Sequence, residues 1–176
     1  MAFSVKLSHF FLFIFLLLSL ILTLDAKATA EKTALMITYF ALWSVVGPVV
    51  HLIFPAGGPI FYDRLGWGNE FAEMQPPDTI AQVASFLWRV YGEEDLIPGG
   101  GISAMPSLHV ATSVWCTLVF QKLHRRFFAL ATLVTVLISL LSVSLGWHYA
   151  MDGIVGGALT IAIFYLTLRF TLHRQV

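Results

Sequence analysis

Five apolar stretches, at residues 7–24, 33–54, 104–121, 127–147 and 153–172, limit what this chain can fold into more than any other feature. Most come close to the roughly 20 residues with which an α-helix crosses about 30 Å of hydrocarbon. The expected fold is therefore all-α, a polytopic membrane bundle of about five transmembrane helices. Composition agrees: 58% of the 176 residues are hydrophobic and 11% are charged, against about 45–50% and about 25% in soluble domains. The connections at 25–32, 122–126 and 148–152 are too short for a soluble domain, so residues 1–176 read as one integral-membrane domain with a long loop at 56–103. Ten basic residues balance ten acidic ones, which gives no electrostatic footing for nucleic acid. A mean hydropathy of +0.83 is the opposite of a disordered chain's. The single cysteine, Cys116, excludes an intrachain disulfide and a cysteine-rich metal site.

Charge sets the expected orientation. Lys122, Arg125 and Arg126, between the third and fourth stretches, mark that turn as cytoplasmic by the positive-inside rule. Alternation then puts Lys27, Lys32, Arg169 and Arg174 on the same side, so that seven of the ten basic residues agree. Lys6, the first apolar run and Ala26-Lys27-Ala28-Thr29-Ala30 also suit a signal peptide with its cleavage site. Cleavage would invert the rest of the chain against its basic residues, so the first stretch is read as a retained anchor. The loop 56–103 and the turn at 147–152 then share the non-cytoplasmic face, together with eight of the ten acidic residues. Within the loop, Ile80, Val83, Ala84, Leu87 and Tyr91 recur at helical spacing beside Trp88. That pattern suits an amphipathic helix, lying in the interface or packed as a lid on the bundle.

Ionisable groups at the ends of spans cost free energy, which makes them candidates for function. One such place is the run from Gly99-Gly100-Gly101 through Ser103 and Pro106-Ser107-Leu108-His109 into the third stretch. Pro106 suits a first helical turn, and the free N–H groups and dipole of a helix start beside Ser107 and His109 would accept a phosphate. The other is His148-Tyr149-Ala150-Met151-Asp152, in which His148 and Asp152 share a face if the turn is already helical. A carboxylate on one imidazole nitrogen fixes the tautomer and leaves the other nitrogen nucleophilic. Phosphoryl transfer through histidine needs a nucleophilic imidazole, a proton donor and fixed positive dipoles, and His148, His109 and the Gly/Ser helix start supply these with no metal or cofactor. The same residues also suit a His–Asp pair that closes a helix end, or a zinc shell made from His109, His148 and Asp152.

Pro106-Ser107-Leu108-His109 and His148-Tyr149-Ala150-Met151-Asp152 resemble the second and third signature motifs of the type 2 phosphatidic acid phosphatase superfamily. The string from Gly100 to Ala111 looks most like its inositol-phosphotransferase branch, which includes inositol phosphorylceramide synthase. The resemblance covers roughly residues 36–172. It implies His148 as nucleophile, His109 as general acid, Asp152 as the carboxylate that orients the nucleophile, and Ser107 as a phosphate contact; the N–H groups of the glycine run, at Gly100 and Gly101, are further candidate phosphate contacts. The family's first motif is represented only by Arg64, with Gly57 and Leu65 where its Lys and Pro would fall. The Ser-Arg pair expected upstream of the third-motif histidine is here Leu141-Ser142.

The implied activity is that of a membrane enzyme which hydrolyses or transfers a phosphate-containing head group of a lipid through a phosphohistidine. Water or a lipid alcohol serves as acceptor, and the substrate enters from the bilayer. A non-catalytic transport or assembly protein, with the two histidines as polar glue between helices, is the alternative. An intramembrane serine hydrolase built on Ser107 or Ser103 lacks the Gly-x-Ser-x-Gly elbow.

Overall fold

A computed structural model describes residues 2–74, 76–92 and 102–173, with side chains from residue 12 onward. Helices fill all five apolar stretches: α1 (Ala2–Asp25), α2 (Ala30–Ala41) continuing into α3 (Gly47–Ile53), α5 (Leu108–Leu123), α6 (Phe128–Ser144) and α7 (Ala150–His173). The amphipathic α4 (Asp78–Gly92) crosses the long loop. Among the described residues, Ala30–Ile53, Arg125–Ser144 and Ala150–His173 are each long and apolar enough to cross a membrane. The chain is an all-helical membrane bundle.

Local chemistry explains where the helices break. The Thr29 side chain accepts from the Lys32 N–H at the start of α2. The Lys32 ammonium reaches back to the Leu24 and Ala26 carbonyls at 2.7 and 2.8 Å, satisfying acceptors at the end of α1. A π-helical turn at Leu42–Val46 joins α2 to α3. Pro48, just beyond it, has no N–H for the usual helical ladder, and the wider turn absorbs the break.

At 16 residues, α5 spans only about 24 Å at 1.5 Å per residue, and it forms the axis of the bundle. Its Ala111, Trp115, Cys116, Val119 and Phe120 are buried against Phe15 of α1, Leu35 of α2, Ala131 and Ile138 of α6, and Phe164 of α7. Apolar contact alone gives little specificity between helices in lipid, where side-chain hydrogen bonds and small residues decide the register. Trp115 Nε1–H donates to the Leu35 carbonyl at 2.8 Å, and the Thr117 and Thr135 hydroxyls meet at 2.7 Å between α5 and α6. Toward α7, Gly156 brings the backbones together: a Cβ there would lie 2.8 Å from the Ser107 carbonyl oxygen and 3.4 Å from Ala111 Cβ. The Thr160 hydroxyl closes the same seam by donating to Gly156 and to Ala111 across the interface.

Two expectations about the start of the third span are corrected. The third span begins at Leu108 and not at 104, because Ser107 adopts an extended conformation as N-cap and its side chain accepts from Val110 N–H. Pro106 follows a cis peptide ahead of that cap and so lies outside the first helical turn. The helix in the loop packs as a lid: Ile80 and Ala84 are buried, and Leu87 and Trp88 rest on a small cluster formed by Phe61 and Ile102.

Gly156→Leu should separate α5 from α7. Overpacking of this kind costs about 1–3 kcal/mol, and thermal unfolding in detergent should show a lowered midpoint. Leu166→Ala, on the exposed face of the same helix, should leave the midpoint nearly unchanged.

Candidate active site

The N-termini of α5 and α7 converge. The Ser107 N–H donates to the Asp152 carbonyl at 3.1 Å, fastening one helix start to the other. His109 falls in the first turn of α5, and His148 lies just ahead of α7. The two imidazoles, 39 positions apart in sequence (148 − 109), stand with ring centroids 6.0 Å apart and planes inclined by 57°.

His148 is buried, with 9% of its surface exposed. Its Nδ1 lies 2.7 Å from the Ala104 carbonyl oxygen. A carbonyl only accepts, so Nδ1 carries a proton and is the donor, and Nε2 is the nitrogen left outside this contact. Ala104 is itself anchored: its N–H donates to Ala56 at 2.6 Å, beside an antiparallel bridge between Gly57 and Ser103. Gly58 completes this platform, because a side chain there would overlap the Trp147 carbonyl.

Asp152 is buried, at 3% exposure. Its Oδ2 accepts from the Tyr149 N–H at 2.8 Å, half of a capping box at the start of α7, and lies 3.8 Å from His148 Nδ1. The carboxylate is thus near the imidazole but is not its closest partner. The sequence spacing pointed to Asp152, whereas a main-chain carbonyl carries no residue signature that could have pointed to Ala104. Burial, reinforced by Tyr62 and by the Asp152 carboxylate, raises the Tyr149 phenol above its ordinary pKa, so it stays neutral beside the site.

A cavity of about 390 Å³ opens between the histidines. Leu12, Trp43, Ile138 and Leu145 line it from the bundle, Val83 and Leu87 from the lid, and Phe61 and Trp147 from the loops. Phe61 joins two of these walls: its ring stacks on Trp88 and tilts against Trp147, each at 6.1 Å. Ser103 lines the cavity, as do Leu141 and Ser142.

The expected phosphate contacts are distributed differently. Ser107 is fully buried as the α5 cap and is not among the cavity-lining residues; Ser103, four positions earlier, faces the space. Arg64 is exposed, with its guanidinium over the Trp88 ring at 5.9 Å, and does not line the cavity. Gly100 and Gly101 lie outside the described residues. Among the described residues no group of three His, Cys, Asp or Glu side chains is placed to hold a metal ion. The arrangement provides a buried imidazole held at Nδ1, a second imidazole across a mostly apolar cavity, and two helix N-termini whose partial positive charge favours an anion.

No curated protein and no solved structure matches the chain significantly. The sequence model of the PAP2 superfamily matches residues 3–166, which include both histidines, Asp152, Ser103 and the Ala104 platform. The chain therefore belongs to the PAP2 superfamily, whose members are membrane phosphatases and phosphotransferases.

Proposed function

We propose that the protein hydrolyses or transfers a phosphate-containing head group of a lipid through a phosphohistidine formed on His148. The observation that carries this reading is the His148 ring itself: buried, held at Nδ1 by the Ala104 carbonyl at 2.7 Å, and facing His109 across a mostly apolar cavity of about 390 Å³. Nε2 attacks phosphorus, and the bond to the leaving oxygen breaks. His109, in the first turn of α5, gives that oxygen a proton and then takes one from the incoming water or lipid alcohol. Asp152 steadies the imidazolium from 3.8 Å and holds the start of α7. Ser103, with the helix-start N–H groups and the Gly100-Gly101 loop, contacts the non-bridging oxygens.

The apolar walls favour a substrate entering from the bilayer. The likeness of residues 100–111 to the inositol-phosphotransferase branch favours transfer of the head group over simple hydrolysis. The basic residues at 25–32, 122–126 and 169–174 favour the non-cytoplasmic face for the site.

His148→Ala should be inactive with every substrate, while His109→Ala should lose far less activity with an aryl phosphate, whose leaving group needs no proton, than with a lipid phosphate. An acid-labile phosphoenzyme should be trapped on wild type and on His109→Ala, and not on His148→Ala. Equal impairment of both variants with both substrates, and no intermediate, would sink the assignment.

Asp152→Asn keeps a carbonyl oxygen for the Tyr149 N–H and leaves the Ala104 contact untouched. Its loss in kcat should therefore fall well short of the ~10⁴-fold seen when the aspartate of a Ser-His-Asp triad is changed to asparagine. Steady-state kinetics at fixed pH decides this.

Cysteines introduced at Glu94 and at His124 should react with an impermeant reagent from opposite sides of the membrane. Labelling of both from one side would overturn the orientation.

A further inference from the structure

A second, narrower space of about 150 Å³ adjoins the cavity, between α1, α5 and the π-helical turn that joins α2 to α3. The two spaces share Trp43 and His109 among their walls, so they meet at the His109 imidazole. The narrower one is closed by Phe13 and Leu16 of α1 and by Thr112 of α5, and His148 does not line it. Phe13 and Trp43 are exposed on apolar helices of a membrane bundle, so this crevice opens sideways to lipid.

The packing of the bundle does not account for Thr112. It is 2% exposed, and its hydroxyl is buried with no hydrogen-bond partner. The buried Thr38 and Thr160 hydroxyls, by contrast, each donate to the carbonyl four residues back. A buried donor left unpaired costs free energy. Water would need several polar partners to settle beside it, and apart from the Trp43 indole the crevice offers only the His109 and Thr112 side chains.

The group that fits is apolar and brings an acceptor with it. A carbonyl that links a lipid chain to its backbone meets both conditions. It accepts without adding a donor of its own, whereas a ligand hydroxyl would leave one hydrogen unpaired. Thr112 lies three residues beyond His109 on α5, on the same helical face and about 4.5 Å deeper. In a diacyl lipid the chain carbonyls stand only a few bonds from the phosphorus, so a phosphate beside the histidines leaves such a carbonyl within reach of that depth. We propose that the crevice holds the carbonyl end of one acyl chain, with the Thr112 hydroxyl donating to that carbonyl, so that Thr112 sets a preference for ester-linked over ether-linked chains. This rests on the lipid substrate proposed above and not on the phosphohistidine step.

Phosphatidate and phosphatidylethanolamine probes carrying a diazirine beside the carbonyl of one chain should be photolysed with the purified protein in mixed micelles, and the labelled residues identified by mass spectrometry. Labels should fall on Phe13, Leu16 and the turn of α5 around Thr112. Unlabelled diacyl lipid should suppress them at a concentration about three- to tenfold lower than the dialkyl ether lipid with the same head group, the factor that one neutral hydrogen bond supplies. In Thr112→Val, which keeps the shape and removes the hydroxyl, the two competitors should be equal, and Thr112→Ser should restore the difference. Labels confined to outward-facing residues such as Leu133 and Leu166 overturn the subsite, as does equal competition in the wild type or a difference that survives in Thr112→Val. The wild-type arms decide the matter even if Thr112→Val fails to fold. If the labels and the difference hold while His148→Ala stays active on lipid phosphates, the phosphohistidine reading fails and the subsite stands. If the labels are missing while His148→Ala is inactive, the subsite fails alone.

Discussion

Two helix starts have to meet, and the rest of the site depends on how closely they do. The Ser107 N–H reaches the Asp152 carbonyl only because α7 presents Gly156 where a Cβ would press on the Ser107 carbonyl. In lipid this approach gains nothing from excluding water, since the tails are as apolar as the side chains. Close packing and the Thr160 hydrogen bonds to Gly156 and Ala111 have to hold it. With the helices that near, the His109 and His148 rings stand 6.0 Å apart.

The electrostatics follow from the same closeness. Bringing together the positive ends of two helices is unfavourable unless something negative lies between them. Asp152 is that group within the protein: it caps its own helix through the Tyr149 N–H and lies beside the His148 imidazole. A bound phosphate would be the second, in a cavity whose described walls carry no permanent cation. Oriented peptide groups and two imidazoles, with no Lys or Arg among the described wall residues, set this cavity apart from an arginine-lined pocket, where bidentate contacts hold an anion.

Much of this was legible in the sequence, for reasons particular to each feature. Long apolar runs announced the bundle because hydrocarbon thickness imposes a length, and α4 announced itself through Ile80, Ala84 and Leu87, whose helical spacing survives in the buried face of the lid. The pairing of His109 with His148 was suggested by residue types at two span ends that topology places on one face. Contacts made by the main chain were not legible. Nothing in Ile102-Ser103-Ala104 indicates that the third residue's carbonyl will hold an imidazole 44 positions away, because any residue has that carbonyl. Ser107 meets a related limit: a serine before a helix suits an anion contact and an N-cap equally well, and its burial as the α5 cap is visible only in the structure. Arg64 was placed by analogy of spacing, and an aromatic face was the stronger local attractor for its guanidinium.

The cross-links beneath the cavity divide the molecule into a stiff part and a compliant one. Ala56 is bonded to Ala104, Gly57 is bridged to Ser103, Ile60 N–H donates to Gly146, and Gly58 lies against Trp147. Residues 56–60, 102–107 and 146–152 therefore form a single floor tied by backbone hydrogen bonds, and His148 stands on it. On the other side, α1 and α4 meet the cavity through side chains alone, Leu12, Val83 and Leu87. A molecule entering past those three residues would press on α1 and α4 rather than on the floor, and would leave His109 and His148 in register.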